Sequence, residues 1–260
     1  MGPFDTLKKL FGAGTSTPSE QPSTGTAASA AQMSHQRLDR YWASIGAVEP
    51  DLLAHLISPS FTGGPSWPTT RQAYRVIRRG SSIILATDGM SDPFDGVAGM
   101  GNGFEMELFL ETADIPASFA GDKGDVGRIK ESWAFELLHH VGEMVAEAGG
   151  ITARLERYDS LSVELPGFSQ SHALAAQLPA RFATADDSLG ILLGAPDPDF
   201  PAIIDDMPLS AVRMVSITLL TAAELEHLRQ GGAAARHELV QKLAAAPSRH
   251  RCDLQRPSLV

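Results

Sequence analysis

The chain has 260 residues, 43% of them hydrophobic, and a formal net charge of −10, which allows a sizeable core and disfavours sequence-independent nucleic-acid binding. Its single cysteine, Cys252, excludes an intramolecular disulfide and a cysteine zinc cluster and fits a reducing compartment. No run of about 18 apolar residues is present to span a membrane, and Asp5, Lys8 and Lys9 interrupt any signal-peptide core; the expectation is a cytoplasmic protein.

Residues 1–12 put Phe4, Leu7, Leu10 and Phe11 on one helical face, with Lys8 and Lys9 opposite. This is a candidate short contact helix. Residues 13–32 carry one charge, Glu20, among Gly, Thr, Ser, Pro, Ala and Gln. They bury too little apolar area to offset ordering entropy, so residues 1–32 read as a disordered tail and linker. A single domain is expected over 33–260. Leu38, Tyr41, Trp42 and Ile45 recur at helical spacing over 35–45, with Gly46 as a stop. A second short helix is expected over 51–57. Residues 61–68 are broken by Gly63, Gly64, Pro65 and Pro68, with Phe61 and Trp67 plugging the core edge.

Residues 71–79 lead into a strand, Gly80 is the joint, and 82–87 form a second strand. The centre is Gly103-Phe104-Glu105-Met106-Glu107-Leu108-Phe109-Leu110-Glu111. Its period of two sends apolar side chains to one face and three carboxylates to the other. That pattern predicts an antiparallel sheet with one wet face. A loop over 112–128 follows, then a helix over 129–148 with Ile129, Trp133, Leu137, Val141, Met144 and Val145 in one stripe, ended by Gly149 and Gly150. Short strands are expected over 161–165 and 189–193, and a long one over 211–220 with a bulge or burial on both faces. Thr221 to Glu224 is a capping box opening a helix to Gln230. A last helix runs over 234–246 and stops at Pro247. Strands cluster and helices cluster, which predicts an α+β fold: a mixed, mainly antiparallel sheet covered by helices on one side.

Residues 81–125 hold nine acids and one lysine, a net of −8, while residues 36–80 hold six arginines against three acids, a net of +3. The candidate partner-binding residues are Asp88, Asp92 and Asp95 in the loop and Glu105 and Glu107 on the strand, offered to a protein with a basic patch. The alternative is a metal-dependent hydrolase on the same carboxylates or on His139 and His140, which share a helix with Glu136 and Glu143. That order is Glu-Leu-Leu-His-His, without the His-Glu-x-x-His arrangement or an evident third ligand. There is no P-loop or nucleophile elbow, Cys252 reads as a bystander, and no cofactor is expected.

Several pieces, in order, resemble the suppressor-of-fused (SUFU) domain: Thr87-Asp88-Gly89-Met90-Ser91-Asp92-Pro93, Gly103-Phe104-Glu105-Met106-Glu107-Leu108, Trp133-x-x-Glu136-Leu137-Leu138, the strand over 211–220, the Thr221 helix with Glu224-Leu225, and Cys252-Asp253-Leu254-Gln255-Arg256-Pro257. The likeness spans about residues 40–257. It implies an α+β fold and protein binding without catalysis. Animal members hold a transcription factor in a cleft between two lobes, and this chain has length for the SUFU domain alone. For compact bacterial relatives the resemblance implies a toxin-neutralising immunity protein or a regulatory binder.

Overall fold

The computed structural model describes residues 24–54, 66–94, 97 and 99–260. The expected contact helix over 1–12, most of the linker, Phe61 and Asp95 lie outside the described residues.

The first helix, α1 (Thr24–Ile45), is longer than the periodicity over 35–45 predicts. It takes in residues 24–32, which composition assigned to the linker, and Ala30 is already buried. The short strands β1 (Ala47–Val48) and β2 (Leu53–Ala54) follow, both antiparallel to β3 (Ala73–Arg79). β2 stands where a helix over 51–57 was expected; backbone pairing to β3 overrides the local apolar spacing. Trp67 is buried edge-on to Tyr74, their ring centroids 5.8 Å apart.

β4 (Ser82–Asp88) and β5 (Met106–Thr112) continue the sheet antiparallel. Between them, Gly103 takes φ +54, and a side chain there would sit 2.5 Å from the Met90 carbonyl oxygen, so the loop closes on glycine. After β5 come α2 (Ala117–Ala120), a 3-10 turn over Gly127–Glu131 and α3 (Trp133–Glu147), whose first turn Ser132 caps through the Phe135 N–H. Then follow α4 (Thr152–Tyr158), β6 (Leu161–Pro166), α5 (His172–Gln177), β7 (Ser188–Leu193), β8 (Ile203–Ile204), β9 (Val212–Leu220) and α6 (Ala222–Ala245). The Thr221–Glu224 capping box is formed in both directions, and α6 breaks at Gly232, as the glycine pair there predicts.

The nine strands run β1–β3–β4–β5–β9–β7–β6, with β2 also on β3 and β8 on β9. Among the described residues only β5 and β9 pair in parallel. They separate beyond Phe109 and Ser216, and the C-terminal segment fills the gap. Cys252 N–H donates to Glu111 O at 2.8 Å, Leu219 N–H to Cys252 Sγ at 3.2 Å, and Thr218 Oγ1 to His250 O at 2.8 Å. Burial pushes the Cys252 thiol up to about 12, so it is inert packing.

Helices cover both faces of the sheet, not one. Trp133, Leu137, Leu138 and Val141 of α3 pack on Val76, Leu85, Leu108, Leu110, Val215 and Ile217. On the reverse, Leu38, Tyr41 and Trp42 of α1 cover Ile77, Ile84, Phe109 and Met214. Leu228, Ala235, Leu239 and Leu243 of α6 cover Leu192 and Leu220. The strict alternation in β5 therefore marks two buried faces. Asn102 joins three segments over the α1 face. Its Nδ2 donates to Ser34 Oγ at 2.7 Å and Ser91 O at 3.1 Å, and its Oδ1 accepts from Leu209 N–H at 3.0 Å and Ser210 N–H at 3.2 Å.

Candidate functional site

The acidic block was expected to face solvent, and the structure corrects that. Asp88 and Glu107 are 0% exposed and Asp92 is 3% exposed. Asp88 and Glu107 lie on the sheet face roofed by α1, and the charges that satisfy this layer come from the arginines before β4. Asp88 Oδ2 accepts from Arg71 Nη2 at 2.7 Å and from Arg75 Nε at 2.8 Å. Asp92 accepts from Arg71 Nη1 at 3.0 and 3.2 Å and from Thr69 Oγ1 at 3.3 Å, and lies 3.0 Å from His35 Nε2. Asp39 of α1 closes the group on Arg75 at 2.5 Å. Burial alone would raise the Asp92 carboxyl, but the His35 hydrogen bond and the Arg71 charge hold it below its ordinary value.

Glu107 is held differently. It accepts from Thr87 Oγ1 at 2.5 Å, Ser91 Oγ at 2.6 Å, Ser91 N–H at 2.9 Å and Gly89 N–H at 3.2 Å. All four donors are neutral. Burial, then the neighbouring Asp88 charge, pushes its carboxyl above the ordinary value. Asp88 Oδ1 is buried without a partner among the described residues. Glu105 is not on the strand: it precedes β5, half-buried, at φ 57. So Asp88, Asp92 and Glu107 are gathered together, as the sequence suggested, but under a helix; Asp95 lies outside the described residues.

Glu111, two turns of the pleat further along β5, belongs to a second buried group. It accepts from Ser82 Oγ at 2.7 Å and Arg79 Nη1 at 3.2 Å, and lies 2.9 Å from His250 Nε2, whose Nδ1 lies 2.8 Å from Asp197. Burial opposes ionisation of Glu111, yet the His250 and Ser82 hydrogen bonds bring its carboxyl below the ordinary value.

The open acidic surface is elsewhere, between α3 and β6. A groove of about 380 Å³ is lined by Glu136, His140, Glu143, Met144 and Glu147 of α3, by Leu165 to Phe168, and by Leu174 and Leu189. No lysine or arginine among the described residues lines it. Glu136 is committed to the fold: it receives Ser171 Oγ at 2.6 Å and the Ala173 and Leu174 N–H groups at 2.6 and 3.0 Å, capping α5. Glu143 faces His139 at 3.6 Å and His140 at 4.0 Å, and Glu147 is exposed. Along one side runs β6, the last strand of the sheet, whose outer edge is paired by no strand among the described residues. His139 turns to the Tyr74 hydroxyl at 3.0 Å while His140 looks into the groove. Among the described residues no three His, Cys, Asp or Glu side chains are placed to hold a metal ion.

The family model described as "Suppressor of fused protein (SUFU)" matches residues 75–257. The chain belongs to the SUFU family. The match contains β4 to β9, α3, the groove and the C-terminal plug of this SUFU chain, while α1 precedes it. No curated protein and no solved structure matches the chain. No helix among the described residues of the SUFU chain is long and apolar enough to cross a membrane.

Two features of this SUFU chain escaped sequence reasoning. One is the pairing of Arg71, Arg75 and Arg79 with the acids that follow; its signal is the +3 block standing directly before the −8 block. The other is the groove. Of its acids, Glu136 and Glu143 enter the sequence reading only as companions of His139 and His140 on one helix, and nothing local says that β6 ends beside them.

Proposed function

We propose that the chain is a protein-binding module without catalysis, and that its partner is another protein presenting an extended basic segment to the α3–β6 groove. The observation that carries this is an edge strand, unpaired among the described residues, beside an acid-rimmed, apolar-floored groove that no described lysine or arginine lines. A bare strand edge offers N–H and C=O groups to an added strand. Leu161, Val163 and Leu165 alternate with Ser162 and Glu164 along it, so an added strand meets apolar contacts on one face. Met144 and Phe168 give its side chains a floor, and Glu143 and Glu147 favour lysine or arginine over acids. Membership of the SUFU family supports the binding role. The immunity and regulatory readings both fit such a segment, since a secreted toxin and a regulatory protein can each present one; a toxin gene beside this one would favour the first.

The test is affinity capture with the full chain, followed by binding of the captured partner to Glu143→Lys/Glu147→Lys and to Val163→Pro. Both variants are expected to lose the partner, and binding to the unmodified chain should weaken as salt rises. Retention by both would remove this surface from the function.

A further inference from the structure

Arginine is largely spoken for in this protein. Arg37, Arg40, Arg71, Arg75, Arg78, Arg79, Arg128, Arg229, Arg249 and Arg256 pair with carboxylates. Arg181 and Arg251 donate to backbone carbonyls. Arg154, Arg157, Arg213 and Arg236 have no carboxylate partner among the described residues, and two of these four, Arg157 and Arg236, flank one side chain. Tyr158, the last residue of α4, is 46% exposed. The Arg157 guanidinium carbon lies 5.1 Å from its ring centroid, and that of Arg236, arriving from α6, lies 6.0 Å away. Arg154 stands one helical turn before Tyr158, on the same side of α4.

The arrangement has a physical tension. The Arg157 and Arg236 guanidinium groups repel one another across the ring, and the ring offsets only part of that, since an exposed cation–π contact contributes about 0.5–1 kcal/mol. In a chain of net charge −10, a neutralising carboxylate would be easy to supply. Glu156 and Asp159 are the nearest acids in sequence, and neither pairs with these arginines. The Arg–Tyr–Arg cluster is therefore a positively charged, aromatic-centred surface whose complement is absent from the described residues. Guanidinium forks bind carboxylates two-pronged. A nucleic acid would use the same groups, but a single strand is held by bases stacking on successive aromatic rings, and this cluster holds one ring, Tyr158.

We infer that Arg154, Arg157, Tyr158 and Arg236 form an interaction surface for an acidic protein segment, one carrying clustered Asp or Glu side chains. The surface is separate from the groove: α4 and α6 build it, and none of its residues lines the space between α3 and β6.

The test is fluorescence anisotropy with a labelled ten-residue oligoglutamate peptide and, in parallel, a labelled oligouridylate of the same length. The full chain should bind oligoglutamate in low salt and release it as salt rises. Arg157→Glu/Arg236→Glu should weaken binding by about tenfold or more, and Tyr158→Ala by less. Glu143→Lys/Glu147→Lys should leave it unchanged or stronger, which separates this surface from the groove. All these residues are at least partly exposed, so circular dichroism should show unaltered folding. No binding of oligoglutamate, equal binding by the double charge reversal, or tighter binding of oligouridylate would each overturn the inference.

Discussion

Two carboxylate-bearing regions of this chain have similar chemistry and opposite fates. Beneath α1, Asp88, Asp92 and Glu107 are closed off from water and held by Arg71, Arg75, hydroxyls and backbone N–H groups, with one Asp88 oxygen left without a partner among the described residues. Along α3, Glu143 and Glu147 rim an open groove that no described lysine or arginine lines, with the His139 and His140 rings beside Glu143. What separates them is the supply of partners. A buried carboxylate is tolerated where arginines or several donors reach it, and β3 supplies arginines to its own side of the sheet but none to α3. Negative charge is thus structural in one region and available for binding in the other.

The comparison can be broken most sharply at its buried side. Arg75→Met would leave Asp88 with one cation in a dry site and should cost about 3–5 kcal/mol in urea unfolding; a loss under 1 kcal/mol would mean that the layer is wetter than its burial indicates. Trp133→Ala is the uncharged counterpart on the opposite face. Trp133 is 0% exposed and donates Nε1–H to Asp114 O at 3.1 Å, and its removal should cost about 3–5 kcal/mol. Asn102→Ala should cost about 1–3 kcal/mol, because it leaves buried donors and acceptors on three segments unpaired.

Two glutamates on the same face of β5 allow a finer test, by pH. Glu107 has a raised carboxyl, so the stability it contributes is complete below its ordinary value of 4.5 and is lost as pH rises through the folded value. Glu111 has a lowered one, so its contribution is present above 4.5 and is lost as pH falls. Stability curves of Glu107→Gln and Glu111→Gln should therefore diverge from the unmodified chain in opposite directions. Relative to the unmodified chain, the first gains as pH rises and the second loses. Curves shifted in the same direction would refute the distinction. The smallest stability effect belongs to the groove: Glu143→Lys/Glu147→Lys should change stability by no more than about 0.5 kcal/mol while abolishing capture of the partner. A large loss of stability there would make those acids structural after all.

The elements whose signals are local were legible. β4, the apolar stripe of α3, the Thr221 capping box and the break at the glycine pair all follow from period, cap and stop residues, whereas the start expected at Ile129 is a 3-10 turn and α3 opens only at Trp133, behind a Ser132 cap that the stripe does not reveal. β2 was misread because a two-residue strand has no periodicity of its own and exists only through β3. The exposure of β5 was misread because alternation reports two different faces and not which of them is wet. Of the proposed contact residues, Asp88, Asp92 and Glu107 do cluster, since a turn returns the chain to a paired strand. That the cluster is covered depends on α1, more than 40 residues earlier in the chain.

The sequence by itself determined an α+β fold, the family and the placement of nearly every long helix and strand, because those rest on spacings of a few residues. Only the tertiary structure decided which carboxylates meet water. Burial depends on which helix lies over which face, and on whether an arginine distant in the chain can reach the acid it covers.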